Sequence, residues 1–141
     1  MPTRPTLTIR LKDLQHILDE ARLGYPDEVC GLVGGRNGTN RAVERIIPIH
    51  NVSPTPHTAF EMERQAMVKA IIGLEQTRQE VVAIYHSHPT SAAEPSEHDI
   101  ALATWPDTVY LIVGLSDPQM PDVRGWIIRS GQVQLAEIVI I

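Results

Sequence analysis

Residues 81 to 99 read Val-Val-Ala-Ile-Tyr-His-Ser-His-Pro-Thr-Ser-Ala-Ala-Glu-Pro-Ser-Glu-His-Asp, which is a strand, a loop and a helix start in succession. Val81 to Tyr85 are β-branched, aromatic or small and carry no charge, as expected of a strand covered on both faces. Pro89 has no amide hydrogen to offer a ladder, so the strand stops there and residues 90–95 read as a loop. Ser96 then precedes Glu97-His98-Asp99 and the apolar Ile100-Ala101-Leu102-Ala103, which makes Ser96 a helix N-cap and puts Asp99 at the capping-box position.

Chemistry follows from that local structure. Side chains two apart on a strand share a face, so His86 and His88 project together, roughly 6.5 to 7 Å apart along the chain, and their imidazoles can converge on one ion. Asp99, in the first helical turn, can swing back toward the strand end. Two nitrogens and one oxygen suit zinc, with contacts of about 2.0 to 2.2 Å. Structural zinc sites are usually closed by four protein ligands, often thiolates, and Cys30 is the only cysteine. A three-ligand site with its fourth position open to water, and therefore catalytic, is the better reading.

These residues resemble the JAMM (MPN-plus, or JAB) metalloprotease family, whose motif is an upstream glutamate, then His-x-His, seven residues, Ser, two residues and Asp. His86, His88, Ser96 and Asp99 match every spacing, and Glu28-Val29-Cys30-Gly31-Leu32-Val33-Gly34-Gly35 resembles the family's Glu-x-Cys-Gly-x-x-x-Gly strand. His50-Asn51 after an apolar strand, Phe60 before a helix and the strand Tyr110-Leu111-Ile112-Val113 are further family-like features, so the likeness runs over nearly the whole chain. The resemblance implies that His86, His88 and Asp99 bind one zinc ion, that Glu28 is the general base and that Ser96 helps hold the tetrahedral intermediate. It also implies a cytidine-deaminase-like α/β/α fold and hydrolysis after the C-terminal Gly-Gly of a ubiquitin-like or sulfur-carrier protein. The absence of long insertions favours the compact prokaryotic type. Two alternatives stay open: a non-catalytic module that binds ubiquitin-like proteins, and a peptidase acting on unrelated peptides.

Competing readings of single residues are mostly structural. A lone cysteine can be a thiol nucleophile, but Cys30 sits in an apolar run and is expected to be buried in a strand. Ser96 is fully explained as an N-cap, whatever else it does. His98 reads as a solvated neighbour, and His16, His50 and His57 lack ligand spacing.

Outward from the motif, the chain reads as one α/β domain over residues 1–141, a mixed sheet flanked by helices. Leu7 to Leu11 is strand-like; Leu11, Leu14, Ile17, Leu18 and Ala21 recur at helical spacing, and Gly24-Tyr25-Pro26 stops that helix before the Glu28 strand. Gly34 to Gly38 reads as a turn into a strand from Val43 to Ile49, and residues 51–58 as a loop. Phe60, Met67, Ala70, Ile71 and Leu74 mark one face of a second helix. Strands follow at Tyr110–Leu115, Val123–Ile128 and Gln132–Ile141, the last expected to pack within its own domain. A substrate tail is expected to lie extended beside the Glu28 to Gly35 strand or along the loop after Pro89.

Twelve basic against 17 acidic residues give a net charge of −5 with no basic run, which argues against nucleic acid as a partner. No stretch reaches the roughly 20 apolar residues of a membrane span, and no leader is visible at the start. With one cysteine, a reducing, cytoplasmic setting is the default.

Overall fold

The structure, a computed structural model, describes residues 4–38 and 40–141; the expectation for the first three residues lies outside them. The elements run β1 (Thr6–Ile9), α1 (Leu11–Gly24), β2 (Cys30–Arg36), β3 (Asn40–Ile49), α2 (Arg64–Gln76), β4 (Glu80–His88), α3 (Glu97–Leu102), β5 (Val109–Gly114), β6 (Asp122–Arg129) and β7 (Gln132–Ile140). All seven strands join one mixed sheet in the order β1-β3-β2-β4-β5-β6-β7. β4 and β5 pair parallel, as do β1 with β3 and β1 with β7, while the remaining pairs are antiparallel.

The sheet is mixed as expected, yet it is closed rather than open. Four-residue β1 is the staple: Thr6 and Leu7 pair with Asn40 and Arg41 of β3 on one side and with Glu137 and Ile138 of β7 on the other. The C-terminal strand is thereby held inside its own domain, with the Ile141 amide donating to the Ile9 carbonyl at 3.0 Å. Closure leaves no free edge among these strands, which removes the usual template for strand addition. β2 in particular is paired on both sides, by β3 and β4, so a substrate tail cannot add to it.

Two cores lie on the two faces. Leu14, Ile17 and Ala21 of α1 pack with Leu7, Val33, Tyr85, Leu111 and Ile127 on one. On the other, Leu32, Ile84 and Tyr110 meet Met67, Ala70 and Ile71 of α2 and Ile100 at α3.

Two local expectations change. Gly34 and Gly35 belong to β2 rather than to a turn, because a side chain at Gly34 would collide with Leu74 and one at Gly35 with the carbonyl of Ala42. They are small for close packing, not for turning. Phe60 precedes α2 instead of lying on its face: Asn51 bridges Met62, and the Glu63 carboxylate caps the helix by accepting from the amides of Gln65 (3.0 Å) and Ala66 (2.6 Å). The segment before the cap is therefore held extended.

Candidate active site

β4 delivers both histidines. Alternation sends Tyr85 and Ser87 toward one face and Ile84, His86 and His88 toward the other, and Pro89 ends the strand with His86 only 1% exposed and His88 6%. The loop returns the chain to α3, where the expected capping box is formed: the Ser96 hydroxyl accepts from the Asp99 amide and the Ser96 amide donates to Asp99 Oδ2, both at 3.0 Å. One local motif thus starts the helix and aims the carboxylate.

Three ligand-type atoms meet as a result. His86 Nε2 lies 3.1 Å from His88 Nε2 and 3.2 Å from Asp99 Oδ2, and His88 Nε2 lies 3.0 Å from Asp99 Oδ2. The Ala92 carbonyl accepts from His88 Nδ1 at 2.8 Å, which leaves the Nε2 lone pair facing the cluster. An imidazole lone pair and a carboxylate oxygen at hydrogen-bond distance repel unless a cation lies between them, and one proton serves one pair only. Edges of 3.0 to 3.2 Å are close to the roughly 3.3 Å spacing of ligands around a tetrahedral zinc with 2.0 Å bonds. The donor set fits a zinc-like ion.

Electrostatics differ among the three groups. Burial lowers the His86 pKa, which favours the neutral imidazole that ligates metals. Burial also works against a charged His88, but hydrogen bonds to Asp99 and Ala92 outweigh it and its pKa is raised. For Asp99 burial is again overcome, by both histidines, and the carboxyl is held well below its usual range. Phe60 stacks on His86 with ring centroids 4.4 Å apart, shielding that ring from water.

Glu28 reaches the site although it lies just before β2 and 58 residues ahead of His86. Cys30 pairs with His86, and the antiparallel register carried two residues further sets Glu28 across from His88. Ser87 secures the approach: its hydroxyl accepts from the Val29 amide at 2.9 Å, and its amide donates to the Val29 carbonyl at 3.0 Å. Glu28 is 5% exposed, and its buried Oε1 has no hydrogen-bond partner among the described residues. Burial, partly offset by His88 and reinforced by Asp99, pushes its pKa up to about 7.

Sequence reasoning passed over three supports: the Ser87 hydroxyl, the Ala92 carbonyl and the side chain of Asn51. The Asn51 amide donates to the carbonyls of Glu28 (2.9 Å) and Ala59 (3.1 Å), and its oxygen accepts from the amides of Ser53 and Glu61. Asparagine has the donors and acceptors for this at one position, but their targets are set by the tertiary fold. Cys30 is buried, with its thiol pushed up to about 12 by burial and then by Glu20 and Glu28, so it is no nucleophile at neutral pH. His98 is exposed, as expected. Of the other histidines, His57 pairs with Asp27 at 2.8 Å, away from the cluster.

Residues 11–129 match the family described as prokaryotic homologs of the JAB domain. Among known proteins, the chain is 35% identical over 127 residues to the CysO-cysteine peptidase of Mycobacterium bovis, covering 90% of this chain and 86% of that one. It is 41% identical over 117 residues to the probable TtuB-protein conjugate cleaving protease of Thermus thermophilus, covering 83% and 70%. The solution structure of a protein from Desulfitobacterium hafniense superposes with a TM-score of 0.87 at 34% identity, covering 96% of this chain and 92% of that one. The resemblance read from the motif is thus met along the chain, in sequence and in fold: the protein belongs to the prokaryotic JAB-domain family and is an enzyme of its peptidase class.

Proposed function

We propose that this protein is a zinc-dependent peptidase that hydrolyses the peptide or isopeptide bond after the C-terminal Gly-Gly of a ubiquitin-like or sulfur-carrier protein, working as one domain in the cytoplasm. The observation that carries the reading is the meeting of His86, His88 and Asp99 within 3.0 to 3.2 Å of one another, with Glu28, whose Oε1 has no partner among the described residues, beside them. The relatives' names, a CysO-cysteine peptidase and a TtuB-conjugate protease, support the substrate class.

In this reading His86, His88 and Asp99 hold the ion. When bound, zinc supplies a strong nucleophile from water at neutral pH and polarises the scissile carbonyl. Glu28 Oε1 takes a proton from water and returns it to the departing amine nitrogen; a carboxyl poised near 7 is matched to both transfers. The Ser96 hydroxyl spends its oxygen on the Asp99 amide, which leaves its own proton to donate toward the developing oxyanion. Phe60 keeps water off one face of His86. With β2 closed off by its neighbours, the exposed Thr90 to Ala92 segment after Pro89 is the place for the extended tail.

The test is intact-mass analysis of small carrier proteins extended past Gly-Gly, incubated with zinc-loaded wild-type protein and with Glu28→Gln. Cleavage after Gly-Gly by the wild type alone is expected. If zinc binds and no carrier is cut, the substrate is another peptide or the protein is a binding module.

A further inference from the structure

Residues 89–96 join His88 to the helix that carries Asp99, and Thr90 to Ala92 within them are exposed. Ala93, in the middle of the same loop, is wholly buried, so the loop is folded down onto the sheet. Two residues distant in sequence receive it there. Gly114 of β5 pairs with His88, and a β-carbon at Gly114 would stand 2.6 Å from the Ala93 nitrogen, 2.9 Å from the Ala92 carbonyl carbon and 3.0 Å from the Ser91 carbonyl oxygen. Trp126 of β6 donates its indole Nε1–H to the Ala93 carbonyl at 2.9 Å. The residue before it, Ala92, is the one whose carbonyl accepts from His88 Nδ1 at 2.8 Å.

Resting on the reading that His86, His88 and Asp99 hold zinc, we infer that Gly114 and Trp126 are positioning residues of the metal centre. The bare glycine is the seat of the loop, the indole is its pin, and together they present the carbonyl that orients the His88 ring. Partners on adjacent strands share a face, so the space Gly114 leaves empty lies beside His88 and is filled by loop backbone. Held there, the Ala92 carbonyl takes the Nδ1 proton, and Nε2 is the nitrogen left to face Asp99. A loop lifted by the width of one methyl group would draw that carbonyl away and free the ring to turn.

The same contacts restrain the tether between two ligands. A loop fixed at its middle loses less conformational freedom when His88 and Asp99 converge on an ion than one free along its whole length. A further contact between loop and β6, Arg124 with Glu94 at 3.5 Å, joins two largely exposed side chains and adds little. The buried indole bond and the glycine seat are what hold the loop.

The experiment measures zinc affinity of the full chain by competition with a chromogenic chelator, beside urea unfolding of the metal-free protein. Trp126→Phe keeps an aromatic ring and removes only the N–H donor, and its zinc dissociation constant is expected to rise about tenfold. Gly114→Ala pushes the loop off its seat and is expected to raise it by up to about 100-fold. Glu94→Ala should leave it within about twofold of wild type. Because the tryptophan acts through the metal, excess zinc should restore most of the Gly-Gly cleavage lost by Trp126→Phe at limiting zinc. A purely structural tryptophan would lower the stability of the metal-free protein and leave the zinc affinity of the folded chain alone. That result, or a loss of affinity in Glu94→Ala as large as in Trp126→Phe, overturns the inference and leaves the zinc reading standing. A wild-type chain that binds no zinc overturns both. Should Gly114→Ala fail to fold, Trp126→Phe decides alone.

Discussion

The two faces of β4 use the same nine residues for opposite purposes. On one face Tyr85 is wholly buried and its hydroxyl donates to the half-buried Glu20. On the other face His86 and His88 present nitrogens to Asp99 and border a cleft of about 470 Å³. Each face buries polar atoms, and on the cleft face Glu28 Oε1 and His86 Nδ1 have no partner among the described residues; Arg41 Nε and Gln79 Oε1, away from the cluster, are in the same condition. Buried groups are almost always satisfied, and the two unsatisfied atoms of the cleft face stand beside three converging ligand-type atoms, which gives them a chemical explanation that folding alone does not. If that division is right, substitutions on the cleft face should abolish function and spare the fold, and those on the packed face should do the reverse.

Asp99→Asn is the strongest test. It removes the shared anion at the centre of the cluster, so bound zinc measured by elemental analysis should fall to background and activity by more than about 10³-fold. Most of the fold should survive, since α3 is six residues long and none of them is buried. Retained zinc at full occupancy would break the assignment of Asp99 as a ligand.

Glu28→Gln comes next, with zinc retained and kcat lowered by about 10² to 10⁴-fold. It also separates function from stability. A carboxyl raised from 4.5 to about 7 binds more protons folded than unfolded in that interval, so in the metal-free protein its contribution falls as pH rises through it. The cost above about pH 7 is on the order of 2 kcal/mol. The glutamine variant should therefore be the more stable protein at pH 8, match wild type below about pH 4.5, and lose the slope between. Urea titrations of the metal-free proteins at several pH values read this directly.

Ser96→Ala should have a smaller effect on both counts. Loss of the N-cap costs about 1 kcal/mol, and loss of the hydroxyl proton, together with looser aim of Asp99, should lower kcat by about tenfold with KM little changed. A variant that loses the stability and keeps full kcat would reduce Ser96 to its cap.

What could be read in advance follows the range of the interactions. The β4–loop–α3 unit was legible because a proline, a capping serine and a two-residue alternation are local signals, and α1 because its apolar positions repeat at helical spacing. The closure by β1 was not, since pairing Leu7 with both Arg41 and Ile138 leaves no mark near Leu7 itself. Gly34 and Gly35 misled for the same reason: their smallness answers to Leu74 and Ala42, distant in sequence. Glu28 could be placed by resemblance alone, and the physical cause is the β2–β4 register.

Tyr85→Phe probes the packed face and should leave the chemistry almost untouched. The ring stays and its packing with α1 is kept, but Glu20 Oε1 loses its donor. Burial already raises the Glu20 pKa, and the Tyr85 hydrogen bond is the main influence holding it down, so removing the hydroxyl should raise it further. A stability loss of about 1 to 2 kcal/mol is expected, largest at alkaline pH where the stranded carboxylate must ionise. Activity on a Gly-Gly-linked carrier should stay within about twofold of wild type. A fall in kcat beyond tenfold at full stability would mean that the two faces are coupled through Tyr85 and Glu20, and the division drawn along β4 would have to be abandoned.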